Sequence, residues 1–181
     1  MEMDTEDIVQ RAHQLGIHTC IEFDPGLLTP EERIREICHG NKCGNYRVHY
    51  MCPPHVGSLE DAERRFGEFK RGVLLQYSEA LDVTTDIEGL LRAKMELHTR
   101  VLQMEEYLRS RGLANAWGLI GGSCWLCYPC KARSGEPCPH PEAARPSPEA
   151  FGVDVMALLG KLGLDNQFHS DRVTWTGCVL F

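Results

Sequence analysis

The sequence predicts an α/β or α+β fold, in which helices flank a small sheet and long cysteine-rich loops leave it. Two observations support this expectation. Short apolar segments predict strands at residues 18–23, 73–78, 115–120 and 173–180, and the segments between them have helical periodicity. The chain has 181 residues, a length that suits one core, so we expect residues 1–181 to form a single domain.

Five of the six predicted helical segments begin at residues that can cap the first turn. These are Asp4 or Thr5, Thr29-Pro30, Ser58, Thr84 and Ser147-Pro148. The helices cover about residues 4–15, 29–38, 58–70 and 84–111, followed by a short helical turn at 147–150 and a last helix over 153–162. The longest has an apolar stripe formed by Ile87, Leu90, Leu91, Met95, Val101, Leu102 and Leu108, and Gly112 ends it.

The charge of the chain argues against nucleic acid as a partner. Asp and Glu outnumber Lys and Arg by 26 to 19, which gives a net charge of −7, whereas phosphate binding needs a basic face. No apolar run approaches the length of a membrane span, about 20 residues, so we expect no membrane insertion. The start, Met1-Glu2-Met3-Asp4, lacks the basic and apolar regions of a signal peptide, and we therefore expect a cytoplasmic protein.

The nine cysteines indicate metal ligands rather than disulfides. A cytoplasmic compartment keeps thiols reduced, and an odd count fits a disulfide framework poorly. Seven of the nine fall in two groups. The other two, Cys20 and Cys178, lie in apolar strand contexts, where we interpret them as small buried hydrophobic residues.

The stronger motif is a loop with four cysteines at spacing C-x2-C-x2-C-x7-C-P: Cys124, Cys127, Cys130 and Cys138. Bacterial ferredoxins use the same start, and a Pro also follows their last Cys, although their final gap is shorter. We therefore expect a [4Fe–4S] cluster here, with zinc as the alternative and disulfides or free thiols as a third interpretation. Gly121-Gly122 precedes the motif, and we interpret it as a close approach of the backbone to the metal.

The second group has three cysteines at spacing C-x4-C-x8-C-P-P: Cys38, Cys43 and Cys52. We predict a second metal here, so that the protein carries two clusters, or zinc in place of one. Three completions of the ligand set are open. Cys20 or Cys178 supplies a fourth thiolate; one imidazole of His39, His49 or His55 completes a zinc site; or the fourth iron binds water or substrate.

Together, the two cysteine groups resemble domain-of-unknown-function family 2284, whose members are predicted metal-binding proteins. The resemblance runs from about residue 20 to the C-terminus, and Pro139 departs from it because relatives more often carry Arg there. It implies a metal or iron–sulfur protein but supplies no established reaction. The matching segments are Cys38, Cys43-Gly44-Asn45-Tyr46, Cys52-Pro53-Pro54, 121–130, 137–142 and 145–155.

These motifs favour a single cysteine-rich metal-binding domain that works in electron transfer or redox chemistry. The partner would be a redox protein or a small-molecule substrate, and a homo-oligomer is compatible with the sequence. A second hypothesis is an enzyme that uses an open-site [4Fe–4S] cluster at Cys38, Cys43 and Cys52 for sulfur or lyase chemistry without net redox. A third is a zinc-binding structural or interaction module.

Overall fold

The structure, a computed structural model, describes residues 3–181, and Met1 and Glu2 lie outside this range. Five α-helices and four strands form from these residues, joined by short 3-10 segments at Pro25–Leu27, Lys131–Arg133 and Pro148–Phe151. In chain order they are α1 (Thr5–Gln14), β1 (Thr19–Phe23), α2 (Glu32–His39), α3 (Leu59–Phe66), β2 (Gly72–Ala80), α4 (Ile87–Ser110), β3 (Trp117–Leu119), α5 (Val155–Lys161) and β4 (Arg172–Leu180).

The four strands form one antiparallel sheet in the order β1-β2-β4-β3. The fold is therefore α+β, as the sequence predicts, and the parallel α/β alternative is excluded. All four strands lie close to their predicted positions. β3 is shorter than the predicted 115–120 because the chain turns away after Leu119, where the amide of Ile120 donates to the carbonyl of Pro146 instead of to a strand.

Each face of the sheet packs against its own layer, and the alternation of β2 assigns its residues to the two sides. Val73 and Leu75 face α1 and α4, whereas Leu74 faces α3, α5 and the segment around Phe151. The two cysteines outside the cysteine groups are divided in the same way. Cys20 lies in the first of these cores and Cys178 in the second.

The second helix begins later than predicted. Thr29-Pro30 does not open it, because Pro30 is drawn into an isolated β-bridge with Val153. The amide of Glu31 donates to the carbonyl of Gly152 at 2.8 Å, and α2 then begins at Glu32. This contact ties the start of α2 to the segment that precedes α5.

The apolar stripe predicted on α4 is partly wrong. Ile87 is 60% exposed, and the buried face instead includes three polar residues, Lys94, His98 and Glu105. These polar residues interrupt the hydrophobic pattern, so periodicity alone gives the wrong rotation of the helix. The face lies against the sheet where Gly118 leaves no room for a side chain, since a Cβ there would lie 2.6 Å from Val101.

None of the helices formed by residues 3–181 has the length and apolar composition needed to cross a membrane.

Candidate metal centre

The four-cysteine loop, residues 121–146, begins where the chain leaves β3. Its four predicted ligands, Cys124, Cys127, Cys130 and Cys138, line one small cavity together with His49, Tyr50, Met51, Leu126, His140 and Ala144. Cys124 and Cys130 are buried, and the other two cysteines are partly exposed. The structure thus brings together the four residues that the spacing predicts.

Cys124 has the most developed surroundings of these four. Burial raises the pKa of its thiol, but the backbone N–H groups of Leu126 and Arg145 donate to the sulfur and act in the opposite direction. Amide donors of this kind stabilise a thiolate and tune metal–thiolate centres. These amides therefore offset part of the effect of burial, although the pKa of Cys124 remains raised overall.

Helix α4 holds this loop with the polar residues of its buried face. The carboxylate of Glu105, 1% exposed, accepts two hydrogen bonds from the Arg145 guanidinium at 2.6 and 2.8 Å and one from the amide of Gly118 at 2.7 Å. About two turns earlier along the helix, His98 Nε2 bonds to the carbonyl of Ala143 at 2.9 Å. The side chain of Arg145 thus pairs with Glu105, and its backbone amide is the group that donates to Cys124.

Lys94 is the third polar residue of this face, and it lies between the two cysteine groups. Its side chain is buried, its Nζ donates to Ser123 Oγ at 3.2 Å, and the ammonium lies over the rings of Trp125 and Trp175. Burial lowers the pKa of Lys94 to about 8, while charge on Cys124, Cys52 and Cys43 acts to raise it. Negative charge on either cysteine group therefore favours the protonated lysine.

The three-cysteine loop, residues 38–55, begins in the last turn of α2 and continues as a series of turns. Cys43 is exposed, whereas Cys38 and Cys52 are partly buried. Burial is the main cause that raises the pKa of Cys52 to about 12, and charge on Cys43, Cys38 and Cys130 acts in the same direction. Cys52 is thus close enough to Cys38, Cys43 and Cys130 of the four-cysteine loop for their charges to act on it.

The three-cysteine loop is fastened to the four-cysteine loop by three hydrogen bonds. His49 Nε2 bonds to the Cys124 carbonyl at 2.9 Å, and Tyr50 Oη donates to the Glu136 carbonyl at 2.7 Å. Arg133 donates to the carbonyl of Gly44, also at 2.7 Å. Cys38 is positioned by α2, whereas the part of the loop that carries Cys43 and Cys52 is held by these bonds to the other loop.

The imidazole that the sequence offers most centrally, His49, is not free to bind a metal. Its Nδ1 accepts from the amide of Met51 at 3.1 Å, so its Nε2 carries the proton that is donated to Cys124. His39 Nδ1 contacts Glu36, and His55 Nε2 contacts the carbonyl of Arg47. The two remaining cysteines, Cys20 and Cys178, lie in the cores, where burial raises the pKa of both thiols.

Arg35 is a second buried cation beside the cysteines. It lies on α2, is 7% exposed, and donates from Nη1 to the carbonyl of Gly57 at 3.0 Å. Its Nε and Nη2 are buried and have no hydrogen-bond partner among residues 3–181. The positive charge of the guanidinium acts to lower the pKa of Cys38, against the larger effect of burial. Arg35 therefore stabilises the thiolate form of Cys38.

The residues fit a metal group by chemistry more than by preformed geometry. Seven thiols, two buried cations and two sulfur-directed amides provide the donors and countercharge that a thiolate-bound metal needs. Within the described chain, however, no three His, Cys, Asp or Glu side chains are arranged so that they could hold a metal ion. The shared cavity has about 10 Å³, the room of about one water molecule, so a four-iron cluster requires the loop to widen.

The glycine pair before the loop is explained by the sheet, which corrects the interpretation as an approach to the metal. A Cβ on Gly121 would lie 3.0 Å from the carbonyl oxygen of Thr176 and 3.1 Å from the ring of Trp175. Gly122 has φ +68°, and a Cβ there would lie 3.3 Å from Trp175 and 3.4 Å from Lys94. The close approach is therefore to β4 and to the buried lysine.

The family model of predicted metal-binding proteins, DUF2284, matches residues 22–181. The chain belongs to this family. The match includes both cysteine groups, all three hydrogen bonds between them, and Arg35 and Lys94. Neither the comparison with curated proteins nor the comparison with solved structures gave a match.

Sequence reasoning missed Lys94 and Glu105, and it missed that His49 links the two loops instead of binding metal. A signal for Lys94 is present: it lies four residues after Leu90 and three before Leu97, at helical spacing on an apolar face. Charged residues at such positions are buried only with a partner, so they point to a site. Nothing in the local sequence around His49 indicates that its partner is 75 residues away.

Proposed function

We propose that this protein is an iron–sulfur protein with two metal centres that acts in electron transfer or redox chemistry in the cytoplasm. In this proposal a [4Fe–4S] cluster binds to Cys124, Cys127, Cys130 and Cys138. A second cluster binds beside it to the remaining set, Cys38, Cys43 and Cys52. When bound, the clusters supply sites that accept and release single electrons.

The observation that carries the proposal is the pair of buried cations beside the cysteines. Neither Arg35 nor Lys94 forms a salt bridge with any acidic side chain among residues 3–181. Isolated buried charge costs several kcal/mol and requires a countercharge. Metal–thiolate clusters carry net negative charge, so a cluster in each loop provides the missing partner.

The protein's own groups reduce the cost of binding. Ligand thiols must lose their protons before they bind metal, and burial raises the pKa of Cys38, Cys52 and Cys124. The ammonium of Lys94 and the guanidinium of Arg35 favour the thiolates, and the amides of residues 126 and 145 donate to one of them. These groups therefore stabilise the negative charge of the metal-bound site.

The two sites have different tasks in this proposal. Four thiolates around the first cluster leave no open iron, which suits an electron relay. The exposed Cys43 brings the second cluster to the surface, where a redox partner protein or a small-molecule substrate can reach it.

One observation favours a second candidate, an enzyme with an open-site cluster at the three-cysteine loop. Cys20 and Cys178 lie in the cores, and His49 has both ring nitrogens engaged. Cys38 also lines a cavity of about 770 Å³. A free iron position there would act as a Lewis acid on a bound substrate, without net redox.

The test is to purify the protein anaerobically and to count iron, zinc and acid-labile sulfide per chain, with EPR spectra at low temperature. About eight irons and eight sulfides support two clusters, and about four support one. EPR changes on adding candidate substrates to the reduced protein separate the open-site enzyme from the relay. Zinc without sulfide, even after reconstitution with iron and sulfide, would overturn the iron–sulfur proposal in favour of a zinc-binding structural or interaction module.

A further inference from the structure

A large cavity lies between α2, α5 and one edge of β4. It exists because β3 is short: Leu119 pairs with Cys178, and beyond that pair the chain turns away through Gly121. The edge of β4 from Arg172 to Thr176 is therefore left without a strand neighbour on this side. The cavity has a volume of about 770 Å³, within the usual range for small-molecule sites of about 300–1,000 Å³.

The lining of this cavity is mainly apolar and includes Ile34, Ile37, Leu90, Val153, Met156 and Leu159. Two exposed apolar side chains also indicate a binding site. Ile37 is 64% exposed and Phe168 is 93% exposed, and both line the cavity. Large apolar side chains exposed around one cleft are typical of a binding site.

Glu149, a residue of this lining, has one buried polar atom without a partner among residues 3–181. Its carboxyl bonds to Ser147 and to its own amide, but its Oε2 is buried and has no partner among the described residues. Burial, with the nearby charge of Asp154, raises the pKa of this carboxyl. A buried carboxyl oxygen without a partner costs free energy that a ligand with a matching polar atom would recover.

The cations around the cavity are already occupied. Arg33 bonds to Glu31 and Asp154, and Arg172 bonds to Asp165 at 2.7 Å. His169, the remaining basic residue of the lining, bonds to Asp165 as well. An anionic ligand would therefore find no spare cation in the lining and would face three carboxyl groups, so nucleotides and other phosphates do not fit.

We propose that this cavity binds an uncharged, largely apolar small molecule whose single hydroxyl or carbonyl oxygen bonds to the carboxyl group of Glu149. This goes beyond the proposed function and does not depend on it, since the cavity is formed by protein alone. Because Cys38 also lines the cavity, the bound molecule would lie beside the three-cysteine loop. If that loop carries an open-site cluster, this molecule is its substrate.

The test uses the full-length, ¹⁵N-labelled protein, with its metal content counted in the same sample, and two probes of equal chain length, 1-hexanol and hexanoate. Amide shifts are followed at pH 7 as each probe is added. We expect saturable shifts from 1-hexanol, centred on the lining residues, and binding of hexanoate that is weaker by about tenfold or more. Shifts that do not saturate, or equal affinity for the two probes, would overturn the proposal.

Variants locate the contact. Glu149→Leu removes the carboxyl group and should weaken the binding of 1-hexanol by about fivefold, the effect of one hydrogen bond. Glu106→Leu, on the exposed face of α4, should leave the affinity for 1-hexanol unchanged. Ile34→Trp, at a partly buried position, should fill the cavity and abolish binding, with folding checked by thermal unfolding. Ile37→Asp alters only an exposed position and should weaken binding several-fold. Unchanged affinity in both isoleucine variants would place the probe elsewhere.

The outcome is separate from that of the metal analysis. Saturable 1-hexanol binding in a preparation without metal would support the cavity and leave the iron–sulfur proposal to its own test. If 1-hexanol does not bind to a preparation with its full metal content, the proposal for the cavity is rejected and the iron–sulfur proposal is not.

Discussion

The two cysteine loops differ in how the protein supports them. The four-cysteine loop is buried at Cys124 and Cys130 and is fastened to α4 through Glu105 and His98. The three-cysteine loop has an exposed cysteine, Cys43, and the three hydrogen bonds described above fasten it to the first loop. Support is thus sequential, from helix to first loop to second loop.

This difference separates rigidity from access. A loop anchored by a buried ion pair moves less once its centre has formed, which suits a centre that only passes electrons. A site supported through another loop, with a cysteine at the surface and a large cavity beside it, can admit a partner. The four predictions that follow test this comparison, beginning with the largest expected effect.

The largest effect should come from the ligands themselves. Cys124→Ser should remove the metal of the four-cysteine loop, about four irons per chain, because it deletes the thiolate to which two backbone amides donate. Cys43→Ser should remove only the metal of the exposed loop. Iron and sulfide counts after anaerobic reconstitution measure both losses. Cys178→Ala is the control, and equal loss of all metal in both serine variants would mean one shared centre.

Breaking the ion pair under the first loop should lower the stability of the whole protein. Glu105→Ala leaves Arg145 and the Gly118 amide without their partner in a buried place. We expect the free energy of unfolding of the metal-free protein to fall by about 3–5 kcal/mol in urea titrations. The neighbouring exposed residue gives the control, Glu106→Ala, with a change within about 0.5 kcal/mol. Similar values for the two variants would show that α4 does not anchor the loop.

Cutting the link between the loops should have a smaller and more local effect. His49→Ala leaves the buried carbonyl of Cys124 without its donor, at a cost of about 1–3 kcal/mol in urea titrations. Metal of the three-cysteine loop should also leave faster when a chelator is added, while metal of the other loop leaves at the wild-type rate. His39→Ala, at an exposed position, serves as the control. Equal acceleration at both loops would contradict sequential support.

The smallest effect is a pH dependence from Lys94. Its pKa is about 8 in the folded protein and 10.5 ordinarily, so the unfolded chain binds more protons between these values. Stability of the metal-free protein therefore gains a rising contribution above pH 8, up to about 1.4 kcal/mol per pH unit. Above pH 9, thiols such as Cys52, whose folded pKa is raised, contribute in the opposite direction.

The variant Lys94→Met isolates this contribution. At pH 7 and without metal, the variant should be more stable than the wild type, and the difference should shrink as the pH approaches 10. With metal bound, the order should reverse, because the lysine then balances the charge of the thiolates. Unfolding curves at pH 7, 8, 9 and 10 measure the differences. A difference that does not change with pH would mean that Lys94 keeps its ordinary pKa.

The sequence predicts most of the fold and the ligand candidates because both depend on local patterns. Strands with apolar alternation and helices with caps can be found within windows of about ten residues. Cysteine spacing is local as well, and the structure places Cys124, Cys127, Cys130 and Cys138 around one cavity. The prediction that these residues bind metal is untested by the geometry and stays a prediction.

Errors occurred where polar residues are buried. The rotation of α4 was wrong because Lys94, His98 and Glu105 belong to its buried face, and a hydrophobicity pattern assigns such residues to solvent. The glycine pair at 121–122 was assigned to a metal, whereas its neighbours are β4 and the side chain of Lys94. Each error concerns a partner far away in sequence.

By itself, then, the sequence determined that helices flank a small sheet, the order of elements and the two cysteine groups, since short-range periodicity, capping and spacing specify them. The antiparallel pairing that makes the fold α+β was decided by the structure. Only the tertiary structure decided that the groups lie side by side and that Arg35 and Lys94 face them. It also decided that His49 is not free to bind metal and that a cavity opens beside Cys38. These features arise from contacts between residues tens of positions apart, which no local pattern records.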